Sequence, residues 1–247
     1  MGAPRFFVTV ALGASDVCRE IALPDAPAHH ALRVLRLAVG DALTLFTGDA
    51  GEFAATLVRA DKRGAWVRLE AFDPVERESP IAVTLIQGIA ANDAMDFVVR
   101  RAIELGAAQI QPVVTARSAR YPAGERGEKR LAHWRQIAIA ACEQCGRNRV
   151  PPVREAVDLD EWLRARAPTR SGVVLAPDAA AGVAALSGPM RELDALVGPE
   201  GGLTGAEVAR AVGAGLTPVR LGPRVLRTET ASVAALSIIN ALWGDFR

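Results

Sequence analysis

The chain has 247 residues, half of them hydrophobic and 23% charged, with a net charge of +1. That composition excludes a disordered chain, and the length suffices for one large domain or two modest ones with real cores. No uncharged apolar run reaches the roughly 18 residues that a membrane span needs, because Ser232, Ser237 and Asn240 interrupt the candidate near the C-terminus.

In chain order, MGAPRFFVTV lacks the basic stretch, apolar run and cleavage site of a signal peptide. Phe6 also stands where a myristoylation pattern needs Ser or Thr. Residues 5–72 read mostly as β. Phe6, Phe7, Val8 and Val10 make one strand, and 41–46, 53–58 and 65–69 follow, parted by Gly48, Gly51 and Gly64. Short strands with glycine-marked turns predict a small barrel or sandwich. One helix interrupts them at 26–37, with Leu32, Leu35 and Val39 near helical spacing. Its His29 and His30 point apart and make a poor metal pair, so no metal site is expected. Its Arg33 and Arg36, three apart, share a face that is either solvated or set against RNA phosphates. DPVERESP at 73–80 reads as a linker.

The rhythm then changes. Residues 82–89 form an apolar-rich run typical of a strand buried on both faces. Asn92 or Asp93 can cap a helix that Gly106 ends. A strand at 110–114, a helix at 131–145 and strands at 173–176, 195–197 and 219–221 follow. Thr204 and Glu207 make a capping box for a helix to about 212, and a last helix runs from near Thr228 to Trp243. Strands alternating with helices predict a parallel α/β sheet over 81–247.

Charge and motifs sharpen this. Residues 117–154 hold 9 basic and 3 acidic side chains, net +6, which fits a nucleic-acid surface or a solvated helix face. Only Lys62 and Lys129 are lysines; the arginine bias suits bidentate phosphate contacts, and a GC-rich coding sequence gives the same bias. Gly198-Pro199-Glu200-Gly201-Gly202 follows a buried strand and precedes a capped helix. Ligands of open α/β sheets bind at such carboxyl ends, and glycine lets backbone approach them. No Gly-Lys-Ser/Thr follows, so the loop is not a nucleotide P-loop. In Leu221-Gly222-Pro223-Arg224-Val225-Leu226-Arg227-Thr228-Glu229-Thr230, Thr228 can cap the last helix and Glu229 suits its first turn. Arg224 and Arg227 do not suit a helix N-terminus, which argues for an anionic partner. Three cysteines, Cys18, Cys142 and Cys145, make no disulfide framework and predict a reducing, cytoplasmic setting. Cys142 and Cys145 end a helix, where no dipole lowers a thiol pKa, and read as packing.

Together these segments resemble the RsmE family of 16S ribosomal RNA uridine-N3 methyltransferases, in the SPOUT (knotted α/β) superfamily. The stretches that carry the resemblance are RFFV at 5–8, HALRVLRLAVGD at 30–41 and DFVVRRAIELGAAQIQPV at 96–113. ACEQCGRNRVP at 141–151, LVGPEGGLTGAE at 196–207 and LGPRVLRTETA at 221–231 complete it. Three positions depart from the pattern. No lysine stands at Ala91 or Asn92, Cys145 replaces a common serine and Leu203 a common aromatic.

The resemblance implies a PUA-like RNA-binding β-barrel (1–72), a linker (73–80) and an α/β SPOUT domain with a C-terminal trefoil knot (81–247). It implies S-adenosylmethionine (SAM) as cofactor, held by three loops. On this chain those offer Leu175 and Ala176; Val197, Gly198, Pro199, Gly201 and Gly202; and Leu221, Gly222, Val225 and Leu226. A side chain at Gly201 is expected to fill the space the cofactor needs. It also implies a homodimer with composite sites, to which the last helix, apolar on more than one face, is suited. Its Ala231, Ser232, Ala234 and Ala235 would allow close helix approach.

Methyl transfer to uracil N3 needs alignment, loss of the N3 proton and stabilisation of the anion. Glu229 and Glu200 are the candidate bases and Arg227 the candidate cation. RNA contacts are expected from Arg5, Arg33, Arg36, Gln144, Arg147 and Arg149, with 16S rRNA in the small ribosomal subunit as partner. The alternatives are a SPOUT enzyme acting on a ribose or another base, and a non-enzymatic rRNA-binding protein.

Overall fold

The computed structural model describes residues 2–49, 51–186 and 188–246. The chain divides into two units, Met1–Glu78 with Cys142–Val150, and Ser79–Ala141 with Pro151–Arg247.

The first unit contains β1 (Arg5–Phe7), β2 (Glu20–Ala22), α1 (Asp25–His29), β3 (Ala42–Phe46), β4 (Glu52–Asp61) and β5 (Gly64–Asp73). The strands form one five-stranded sheet in the order β1-β3-β4-β5-β2. β1 and β3 are parallel, and the other pairs are antiparallel. Phe53, Ala55 and Leu57 of β4 and Ala65, Val67 and Leu69 of β5 are buried at period two, as a half-buried strand requires. They pack with Phe6, Leu43 and Leu45.

Two readings of this unit change. The expected helix at 26–37 is only the short α1, which runs into a single π turn at His30–Val34. Leu35 N–H closes that turn on His30 O at 2.9 Å, and Arg36 then adopts φ +56°. Arg33 and Arg36 therefore do not share a helical face. Leu35 and Val39, which suggested the helix, are 43% and 60% exposed and form no core stripe. The expected linker starts later than residue 73, because β5 continues through Asp73. β2 escapes the sequence because it buries one residue, Ile21, and shows no alternation.

The second unit contains β6 (Ala82–Gly88), α2 (Asn92–Glu104), β7 (Gln109–Val114), most of α3 (Glu125–Cys145), β8 (Val157–Asp158) and α4 (Leu159–Ala165). β9 (Gly172–Leu175), β10 (Glu192–Val197), α5 (Gly205–Gly213), β11 (Thr217–Val219) and α6 (Thr228–Trp243) complete it. Its six strands lie in the order β11-β9-β10-β6-β7-β8 and all pair in parallel. Central β6 is buried nearly throughout, as the apolar run predicts. After β8 the chain returns to the far side of β10, so the strand order reverses between β6 and β10. Such a switch point is where parallel sheets open a ligand crevice.

The β9–β10 connection meets the C-terminal segment at two points. Gly182 in the connection bridges Arg220 just after β11, and Trp243 Nε1–H at the end of α6 donates to Gly188 O at 2.9 Å. The cap of α2 is Ala91, not Asn92 or Asp93. Thr228 does not cap α6 either; it is the first helical residue, after Arg227.

Candidate active site

A cavity of about 710 Å³ opens at the carboxyl ends of β9, β10 and β11, three adjacent strands. Leu175 to Ala180 follow β9 into it, 197–203 follow β10, and 218–222 with 224–226 follow β11. Thr228 and Ala231 of α6, three apart and so on one face, close the wall. The glycine-rich loop after β10 is tight. Pro199 O accepts from Gly202 N–H at 2.8 Å, and Gly202 sits at φ +68°. A Cβ on Gly198 would stand 2.8 Å from Leu203 N, so only glycine lets this turn close.

Two side chains, one of the loop itself and one from outside it, fix the loop. Glu200 Oε1 accepts from Ala91 N–H, the cap of α2, at 2.7 Å. Arg117 Nη1 donates to Gly201 O at 2.8 Å, and Arg117 also lines the cavity. Behind them, buried Glu207 accepts from Thr204 N–H at 2.7 Å in the capping box that opens α5. Its other oxygen accepts from Ala116 N–H at 2.7 Å, beside Arg117. Burial alone would raise the Glu207 carboxyl, but these N–H groups and the Thr204 hydroxyl hold it below the usual carboxylate range.

The structure brings every expected cofactor residue to this one cavity: Leu175, Ala176, Val197, Gly198, Pro199, Gly201, Gly202, Leu221, Gly222, Val225 and Leu226. The expectation for Gly201 changes in its reason. A Cβ there would meet Arg117 Cβ at 3.0 Å rather than enter the cavity. Of the candidate catalytic groups only Glu200 lines the cavity, and its contact with Ala91 gives it a loop-fixing role. Arg227 and Glu229 lie outside the lining, at the start of α6. Among the described residues no ion pair engages Arg224, Arg227 or Glu229. Arg117, Asp178 and Arg220 also line the cavity and were missed. Arg117 lies some 80 residues before the loop it holds, a separation of 84, so no local pattern marks it.

The expected RNA contacts divide. Arg5 pairs with Glu52 and donates to Asn148 Oδ1 at 2.7 Å. Arg147 is 4% exposed and pairs with Glu78. Both are internal struts of the first unit, and their charge is already spent on carboxylates. Arg149 pairs with Glu76 but stays half exposed. Arg147 and Arg149 belong with the sheet of the first unit, not with the α/β unit. Arg33, Arg36 and Gln144 are exposed, and the two arginines stand among exposed Val34, Leu35 and Val39.

The size and walls of the cavity fit a cofactor with an apolar ring and a charged tail. Apolar Leu175, Val197 and Leu226 face it, Asp178 and Arg224 supply charge, and the Cβ positions of Gly202 and Gly222 meet open space. An RNA methyltransferase domain model matches residues 77–240, and an RNA methyltransferase PUA domain model matches residues 23–70. The ribosomal RNA small subunit methyltransferase E of Mycobacterium bovis is 31% identical over 86% of this chain and 83% of its own length.

The chain belongs to the ribosomal RNA small subunit methyltransferase E family.

Two solved structures bear on the site of a family member. The methyltransferase E of Neisseria gonorrhoeae, bound to SAM, is 38% identical with a TM-score of 0.92 over 100% of both chains. A methyltransferase of Legionella pneumophila, in complex with SAM, is 34% identical with a TM-score of 0.94 over 100% of both chains. In this member of the family the parallel sheet of the α/β unit accordingly belongs to the RNA methyltransferase domain, and the preceding sheet to the PUA domain.

Proposed function

We propose that this chain transfers the methyl group of SAM to N3 of a uridine in 16S rRNA. The observation that carries the reading is the single cavity into which three strand-end loops and the start of α6 converge. Family membership and the SAM-bound relatives support it. When bound, SAM supplies a methyl group already activated by its sulfonium. The chain's own work is then alignment and proton management.

The loops at 198–202 and 221–226 would hold the cofactor against the cavity wall, where apolar Leu175, Val197 and Leu226 would keep water from it. Arg227, with Arg224, supplies positive charge where the uracil anion develops. Glu229 is the better candidate base, because Glu200 is engaged with the cap of α2. The target base is extruded from any stack before reaction.

The substrate is rRNA in the small subunit. Arg33, Arg36, Gln144 and Arg149 are the phosphate-facing groups that remain available. The active form is a homodimer. On α6, Ser232 and Ala235 are buried in the chain's own core, whereas Val233, Ala234, Ile238 and Leu242 are not fully covered and offer the face for a second copy. A ribosomal substrate supports a cytoplasmic setting, with which the three free cysteines agree. Among the described residues no helix is long and apolar enough to cross a membrane.

The test is nucleoside mass mapping of 16S rRNA after incubation with the protein and labelled SAM. Label on N3 of one uridine is expected. Label on a ribose or another base, or none, overturns the reading.

A further inference from the structure

Central strands of parallel sheets are apolar, yet β6 places Gln87 near its end at 0% exposure. A primary amide there is tolerated only when its groups are paired. Gln87 Nε2 donates to Thr228 Oγ1 and to Gly88 O, both at 2.9 Å. Its Oε1 accepts from Ser232 Oγ at 2.7 Å. Thr228 Oγ1 in turn donates to Gly198 O at 2.6 Å. One hydroxyl thus joins the first residue of the β10 loop to the first residue of α6.

The loop is also pressed onto the end of β6. A Cβ on Gly88 would stand 2.6 Å from Pro199 Cδ and 2.7 Å from Pro199 N. The β10 loop can move relative to β6 only by changing this contact and the hydrogen bonds behind it. α6 carries Arg227 just before its first turn and Glu229 within it.

We infer that Gln87 is a positioning residue that, through Thr228 and Ser232, sets the start of α6 in register with the cofactor loop. This rests on the methyltransferase reading above. The network fixes where the acceptor-side groups stand once the cofactor loop is in place. Its amide does not line the cavity; Thr228 alone of the three reaches the cavity wall. A buried polar network that selects one arrangement of two loops is the use to which such networks are best suited.

The test compares wild type, Gln87→Leu, Thr228→Val and Thr228→Ser in single-turnover methyl transfer to 16S rRNA. SAM affinity is measured separately by calorimetry without RNA, and folding by thermal melting. Thr228→Val keeps the shape and removes the hydroxyl, whereas Thr228→Ser keeps the hydroxyl. Gln87→Leu and Thr228→Val should lose roughly tenfold or more in the rate at saturating SAM and RNA, because small misplacements of reacting groups are costly. Their KM for RNA should stay within about twofold, and Thr228→Ser should stay within about twofold of wild type in rate. A wild-type rate in Gln87→Leu overturns the inference, as does a Thr228→Ser as slow as Thr228→Val. If Gln87→Leu does not fold, the two Thr228 variants decide alone. A wild-type protein that binds SAM but methylates no rRNA would overturn the functional reading instead.

Discussion

Glu52 is the residue on which the charge chemistry of the first unit turns. It receives Arg5 and also Arg77, whose Nη1 donates at 2.8 Å. Burial alone would raise its carboxyl, but hydrogen bonds from Arg77 and Arg5, and their charge, lower it from 4.5 to about 2. A depressed carboxylate contributes stability that is fully present above its unfolded value and lost as pH falls towards its folded one. The melting temperature should therefore drop between about pH 4.5 and pH 2, more steeply in wild type than in Glu52→Gln. Equal acid sensitivity in the two would show that the pairing contributes nothing. Cys142 offers a second check. Its thiol is buried, donates to Arg149 O at 3.4 Å, and is pushed up to about 12 by that burial. Iodoacetamide on the native protein should label exposed Cys18 and spare Cys142, read by peptide mass mapping. The packing role of Cys142 was legible, because a cysteine in the last turn of an amphipathic helix has few other uses. The strut roles of Arg5 and Arg147 were not legible. Their carboxylate partners lie 47 and 69 residues away, so in sequence they look like any other free cation.

Among the elements, the loops after β10 and β11 were readable because each places glycine and proline just after a buried apolar run, whereas the loop after β9 came only from the resemblance. What fixes them was readable only in part. The capping box of Glu207 with Thr204 was legible, but Arg117 and the bond from Ala116 N–H to Glu207 act across the fold rather than along the chain. Glu207 accepts two backbone N–H groups while 2% exposed, so Glu207→Ala should cost about 2 kcal/mol of stability in urea unfolding, through the donors it strands. Arg117 and Gly201 should behave as one unit. Arg117→Ala removes the contact with Gly201 O, and Gly201→Val pushes Arg117 away by occupying the space of its Cβ. Each should weaken SAM binding by roughly tenfold, and the double variant little further, since both break the same contact. Calorimetry that found the two losses fully additive would separate them. Besides β2, the sequence also left out β8 with its following α4. A two-residue strand at Val157–Asp158 has no periodicity to detect, although the Asp158 side chain caps α4 by accepting from Asp160 N–H at 2.8 Å.

At the scale of the whole molecule the prediction concerns salt. With Arg5 and Arg147 committed internally, the RNA surface proposed for the first unit comes down to a small set of arginines, of which Arg33 and Arg36 carry no ion pair among the described residues. Arg33→Ala/Arg36→Ala should weaken 16S rRNA binding and lower the slope of log affinity against log salt by about 2. Filter binding across a salt series measures this, and an unchanged slope would remove both residues from the interface. Ala234→Arg, on the incompletely covered side of α6, should shift the sedimentation of the protein from dimer to monomer while leaving its melting temperature near wild type.

The grouping of Cys142–Val150 with Met1–Glu78 reaches beyond this one chain. Phe7 N–H donates to Glu143 Oε1 at 3.0 Å, and Asn148 Nδ2 donates to Val75 O at 3.0 Å. The N-terminal module is thus completed by a stretch of gene that also encodes the last turn of α3. It is not a cassette. A recombination event that exchanged residues 1–78 alone would deliver a sheet whose Arg5 and Phe7 must find partners in a foreign helix end. A functional chimera would have to carry two separated pieces of coding sequence together.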